Sequence, residues 1–151
     1  MECYLIRHGH AVKREDWEDE DMRRPLTEEG EERADAAFAR FCNIFSPPHV
    51  ILTSAAERAR RTAACLAAHC EGRIREDPRL NPGATVNDYE NVLQAFEAYD
   101  PVALVGHEPD LSSYISHVLA GDALDLEVKK GAICHIREDT LLGLIQQKVL
   151  R

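Results

Sequence analysis

The chain has 151 residues, 44% of them hydrophobic and 30% charged, the balance of a soluble globule, and is expected to fold as one domain over 1–151. That length buries roughly 70% of the unfolded surface without disulfide or metal staples. The formal net charge of −9 argues against nucleic acid or an anionic membrane as main partner, since both select basic faces.

Cys3 to Ile6 form a short apolar run, read as a buried strand, and Arg7, His8 and Gly9 follow it directly. Lys13 to Arg24 is densely charged around Trp17, which has no identifying spacing, and reads either as a disordered or solvated stretch or as a mobile rim over a site. Pro25-Leu26-Thr27 opens a first helix with Thr27 as N-cap, and Pro47-Pro48 ends it. Val50 to Thr53 is a second apolar strand. Ser54 leads into a second helix stopped by Gly72, and Ile74 to Leu80 reads as a weak strand. Val86, Tyr89, Leu93 and Phe96 mark a third helix, and Val102 to Val105 a third buried strand ending in Gly106-His107. Pro109 and Asp110 begin a fourth helix, with Leu111, Tyr114, Ile115, Val118 and Leu119 at helical spacing. Gly131–Ile136 and Leu141–Ile145 read as two strands of an antiparallel hairpin. Apolar strands alternating with helices predict an α/β fold: a three-layer α/β/α sandwich with a mainly parallel sheet of about six strands and an antiparallel edge. The five cysteines, with no Cys-x-x-Cys pair, read as core residues in a reducing compartment. With no signal-peptide pattern and no membrane-length apolar run, the expected location is cytoplasmic.

Parallel strands bring their carboxyl ends to one edge of a sheet, where ligands of open α/β folds bind. Arg7, His8, Arg58 and His107 all follow such ends, and Arg58 falls in the first turn of its helix, which favours an anion. Two guanidiniums and two imidazoles suit a dianionic phosphoryl group, because Arg offers paired planar hydrogen bonds to phosphate oxygens.

The segment Arg7-His8-Gly9 resembles the signature of the histidine phosphatase superfamily, whose fold is phosphoglycerate mutase-like. The short chain is similar to the SixA-type phosphohistidine phosphatases within it. Arg24-Pro25-Leu26-Thr27-Glu28-Glu29-Gly30, the Ser54-to-Thr62 segment and Val105-Gly106-His107-Glu108-Pro109 match further family motifs in the same order. The resemblance implies that His8 is a nucleophile forming a covalent phosphohistidine, with Arg7, Arg58 and His107 clamping the phosphoryl oxygens and no cofactor or metal required. Gly9, Ser54, Arg24 and Glu108 complete the candidate substrate-binding set. Ser54 is either a phosphate ligand or a helix cap. Arg24 either joins the basic cluster or sits on the surface. Glu108 is either a proton donor, with Asp88 or the acidic rim behind it, or a first-turn acid stabilising its helix. Thr62 either buttresses Arg58 or packs. What holds His8 in one tautomer is not legible.

His8-Gly9-His10 also has two imidazoles close enough to suggest a metal, but Arg7 would repel a cation, and His10 reads better as a rim residue. Ser54 lacks the Gly-x-Ser-x-Gly elbow of a serine hydrolase. The expected partner is a phosphorylated protein carrying phosphohistidine, such as a phosphorelay domain. The alternatives are a small phosphoester, cleaved by a phosphatase or mutase on the same scaffold, and a non-catalytic phosphate-binding module.

Overall fold

The computed structural model describes residues 1–151. Six strands form one sheet in the order β3-β2-β4-β1-β5-β6: β1 (Glu2–Arg7), β2 (Val50–Thr53), β3 (Arg73–Glu76), β4 (Val102–Gly106), β5 (Ile133–Arg137) and β6 (Thr140–Ile145). The first four run parallel, while β5 and β6 form the expected antiparallel hairpin beside β1. The helices are α1 (Glu28–Ile44), α2 (Glu57–Cys70), α3 (Val86–Ala95), α4 (Asp110–Ala120) and a short terminal α5 (Gln147–Leu150). None is long and apolar enough to cross a membrane.

Each central strand is apolar along its length because both faces are covered. Cys3 and Leu5 of β1, Val50 and Leu52 of β2, and Val102 and Leu104 of β4 pack into one core with Tyr89, Leu111 and Ile115 of α3 and α4. Tyr4, Ile6, Ile51, Ala103 and Val105 point the other way, onto Phe38 and Phe41 of α1 and Leu66 of α2. The period of two in a strand enforces this split. Fully burying one such large side chain contributes about 1.5–3 kcal/mol, so the two cores dominate stability and fix the register.

That register creates the site. Cys3 to Arg7 pair with Val102 to Gly106, and Val50 to Thr53 pair with Val102 to Val105. His8, Ser54 and His107 therefore leave three adjacent strands at one level of the same edge. The backbone N–H groups of His8 and Ser54 extend the ladder by one step, donating to Gly106 O and Val105 O at 3.2 and 3.1 Å.

Two segments differ from expectation. The weak strand over Ile74–Leu80 is shorter: β3 ends at Glu76, and the Asp77 side chain accepts from Arg79 N to cap a 3-10 turn at Pro78–Leu80. Pro78 has no N–H to continue a ladder. The charged stretch after His10 is folded, with 3-10 turns at Arg14–Asp16 and Asp21–Arg23 and an Ala11–Leu26 bridge closing its base. Two of its six acids are matched by bases: Asp21 pairs with Arg14, Arg24 and Arg58, and Asp19 with Arg23.

Candidate active site

A cleft of about 330 Å³ opens at the carboxyl edge of the sheet, with Arg7, His8, Arg24, Arg58, His107 and Glu108 among its walls. His8 and His107 are 7% and 3% exposed, and their ring centroids lie 5.3 Å apart. The four residues expected to meet over an anion do meet. Lys13, Arg14 and Glu15 of the charged stretch also line the cleft, so that stretch is its rim.

The hydrogen bonds around His8 supply the tautomer that the sequence did not. Nδ1 lies 2.8 Å from Gly9 O, a carbonyl that can only accept, so Nδ1 carries the proton and Nε2 keeps its lone pair. The same turn is anchored to α2: Gly9 N donates to Thr62 Oγ1 at 3.0 Å, and Thr62 Oγ1 donates to Arg58 O at 2.7 Å. Thr62 therefore ties the His8 turn to the helix that presents Arg58. Gly9 acts through these backbone groups, and a β-carbon there would make only ordinary contacts of 3.6–3.9 Å. Gly30, by contrast, is dictated sterically, since a β-carbon would overlap the His10 carbonyl. Its own N–H donates to the capping Thr27 at 2.9 Å, which explains the threonine–glycine spacing at the start of α1.

Ser54 lies behind His107 rather than on the cleft wall. Its Oγ is 2.8 Å from His107 Nε2 and 3.3 Å from Asn81 Oδ1, and it accepts from Ala56 N at 3.1 Å. The one hydroxyl proton goes to Asn81 Oδ1, which also accepts from Ala55 N, so Ser54 Oγ accepts from His107 Nε2. His107 Nδ1 is buried and has no partner within the chain. Ser54 thus holds the turn that leads into α2 and aims His107, without capping the helix; a direct phosphate contact is not its role.

The two guanidiniums are held from below. Arg7 donates to Val128 O at 2.9 Å, and Arg58 donates to Asp21 O and Asp21 Oδ2 at 2.9 and 3.0 Å. Nε of each is buried without a partner. Asp21 was hidden among six acids, and only its place three residues before Arg24 hinted at pairing. Arg24 donates to Asp21 at 3.0 Å and to Val12 O at 2.6 Å, so it braces the rim while still lining the cleft.

Glu108 spends its carboxylate on α4, accepting from Ser112 N at 2.7 Å and from Ser112 Oγ. The helix-stabilising reading is the one the geometry favours, although Glu108 also faces the cleft. Asp88 caps α3 in a box with Thr85 and is not among the cleft residues. His10 sits at the rim, 3.4 Å from Arg33, and no group of three His, Cys, Asp or Glu side chains gathers around it or elsewhere.

Burial drives the His8 imidazole down to about 3, and His107, Arg58 and Arg7 push the same way against the Gly9 carbonyl. His107 also falls to about 3, through burial first and then Arg58. Both are neutral near pH 7. Because the folded values lie below the ordinary 6.5, the unfolded chain binds more protons between about 3 and 6.5. Stability from these two groups is therefore complete above 6.5 and is lost as pH falls through that window. In phosphate-free buffer the urea midpoint should drop from pH 7 to pH 5, with a slope on the order of 1 kcal/mol per pH unit for each histidine. His107→Gln should flatten that slope, and an unchanged midpoint in the wild type would contradict the burial argument.

Comparison with known proteins decides the family. Residues 3–84 match the model of the histidine phosphatase superfamily, branch 1. The chain belongs to the histidine phosphatase superfamily. A protein of Picosynechococcus that bears no functional name is 35% identical over 144 residues, covering 91% of this histidine phosphatase and 85% of the relative. In fold it is similar to the protein histidine phosphatase SixA complexed with tungstate, with a TM-score of 0.87, 20% identity and full coverage of both chains. It is also similar to the alpha-ribazole phosphatase of Shigella flexneri, with a TM-score of 0.77, 18% identity and 97% of each chain covered. The α/β/α architecture is thus the SixA-like, phosphoglycerate mutase-like one.

Proposed function

We propose that this phosphatase works through a covalent phosphohistidine on His8 and that its substrate is phosphohistidine on a protein. The observation that carries the first half is the pinned tautomer: Nδ1 donates to Gly9 O, leaving a neutral Nε2 directed into a cleft walled by Arg7, Arg58 and His107. In that arrangement the Nε2 lone pair attacks phosphorus while the bond to the leaving group breaks in line. The guanidiniums and the His107 side chain stabilise charge on the equatorial oxygens, as phosphoryl transfer requires. Water then cleaves the P–N bond of the phosphoenzyme, which divides one difficult step into two easier ones.

Two features support the second half. Both acids of the cleft wall are placed otherwise than a general acid would be: Glu108 spends its carboxylate on Ser112, and Glu15 lies solvent-exposed on the rim. A phosphohistidine substrate departs as an imidazole, protonated on its other nitrogen, and needs less help. The connections from β2 to α2 and from β4 to α4 are three residues each, leaving the Lys13–Arg24 rim as the main wall above the cleft. That openness suits a protein surface better than an enclosed metabolite. The likeness to an alpha-ribazole phosphatase keeps a small phosphoester as the competing substrate.

The test is a panel of phosphohistidine protein, sugar phosphates and nucleotides, assayed with a chelator present. The phosphoprotein should lead by roughly 100-fold or more in kcat/KM, with no loss on chelation. A sugar phosphate or nucleotide in the lead would favour the small-molecule reading.

A further inference from the structure

Beside the cleft lies a second hollow, of about 380 Å³, whose character is unlike the rest of the molecule. Arg7, Arg33, Lys129, Lys130, Lys148 and Arg151 line it, with no apolar and no acidic side chain in its wall. Three of the chain's four lysines meet there, from positions far apart in sequence, although the protein as a whole carries −9. Of the six cations, Arg33 has a carboxylate partner, Glu29 one turn earlier on α1, while the lysines and Arg151 have none. The field reaches His10 in the same wall: burial first, then Arg33, Lys130 and Arg151, hold its imidazole below the ordinary range.

A second observation concerns how this wall is built and where it leads. Gln147 opens α5 at 4% exposure and lines this hollow, and its amide Nε2 has no partner in the chain. Space for that amide is built in. Gly131 has φ +77, and a β-carbon there would overlap the Gln147 amide. The same Gly131 N–H is held by the carbonyls of Arg7 and His8 at 3.1 and 3.0 Å, so the amide is seated against the turn that follows β1. Nε2 has almost no accessible surface, so it backs the wall, and an anion in the hollow would be held by the lysines and arginines in front of it. Arg7 and Lys130 line both the hollow and the cleft, which makes the two contiguous. A wall without apolar residues is unlike the apolar, charge-depleted centre of a protein interface and suits a compact anion instead.

We propose that the hollow is a subsite for a second anionic group of the substrate whose phosphoryl group enters the cleft, so that this phosphatase selects multiply anionic substrates. This rests on the phosphoryl-transfer reading of the cleft. The shared chemistry is an oxyanion, and two sources can provide it: carboxylates beside phosphohistidine on a protein, or a second phosphate on a small molecule.

The experiment compares wild type, Lys129→Gln/Lys148→Gln and Arg73→Gln/Arg75→Gln, the last removing the same charge from the exposed edge strand β3. One substrate pair is a phosphohistidine peptide flanked by glutamates against its alanine counterpart. The other is fructose 1,6-bisphosphate against fructose 6-phosphate. The lysine double variant should lower kcat/KM for the more anionic member of one pair by roughly tenfold relative to its counterpart, mainly through KM. A fall in the peptide pair assigns the anion to a protein carboxylate, and a fall in the sugar pair assigns it to a second phosphate. The β3 variant should move neither ratio. Unchanged ratios in the lysine variant, or equal falls in both double variants, would overturn the subsite. Phosphoenzyme formation from phosphoramidate is followed in the same preparations. Its absence in the wild type would overturn the reading of the cleft, whereas its presence with unmoved ratios would overturn the subsite alone.

Discussion

Replacing His8 with alanine is expected to abolish turnover, by a factor on the order of 10⁴ or more, since removing a nucleophile leaves only binding and charge stabilisation. The protein should remain folded. His8 lies at the floor of the cleft, and its hydrogen bond to Gly9 O is local, so the turn is still held by Gly9 N on Thr62 and His8 N on Gly106. The ring is neutral, and its loss strands no buried charge. Circular dichroism and urea melts on the same sample as the kinetics separate the effects. Residual turnover within tenfold of wild type, on a folded protein, would mean that another group attacks phosphorus.

Arg58→Ala is expected to cost 10² to 10³ in kcat/KM, roughly the worth of one well-placed charged donor to a transition-state oxygen. Arg58→Lys should recover little, because an ammonium cannot reproduce the planar fork that also grips Asp21. Asp21→Asn should cost much less, about tenfold or below, since the Asp21 carbonyl still accepts from Arg58. The Asp21 carboxyl sits below the ordinary carboxylate range: burial alone would raise it, but Arg24 and Arg58 more than offset that. With Arg58 gone, Arg14 and Arg24 still neutralise this carboxylate, so the loss of stability should be about 1–2 kcal/mol. The kinetic losses of the double variant should be less than additive because the residues share one network. An Asp21→Asn loss as large as that of Arg58→Ala would place the Asp21 carboxylate on the reacting group rather than behind the arginine.

The central fold was legible because strands buried on both faces leave an unbroken apolar run, and those of β1, β2 and β4 are short and sharply bounded. Their carboxyl ends carry the chemistry, so the parallel strands side by side already imply that His8, Arg58 and His107 converge. What stayed hidden has a common cause. The carbonyls of Gly9, Val128 and Asp21 fix His8, Arg7 and Arg58, and a backbone oxygen has no signature in residue type. Asp21 was one acid among six, and its partner is 37 residues away. Gln147 belongs to a four-residue helix too short for a periodic pattern, and the lysines around it come from segments that meet only in three dimensions. Ser54 was placed at the strand end and left as phosphate ligand or helix cap, since sequence gives the position of a hydroxyl and not its rotamer. The charged stretch, for which disorder was one reading, is folded: Asp21 alone ties it to Arg58 of α2 and to Arg24, and an Ala11–Leu26 bridge closes its base, contacts that net charge obscures.

The most direct measurement is the site of phosphorylation after rapid quenching with labelled phosphoramidate. The label should be acid-labile and alkali-stable, and two-dimensional NMR of the isolated peptide should place phosphorus on Nε2 of residue 8. Label on Nδ1, on another side chain, or on none at all during active turnover would contradict an attack by the nitrogen that the Gly9 carbonyl leaves free.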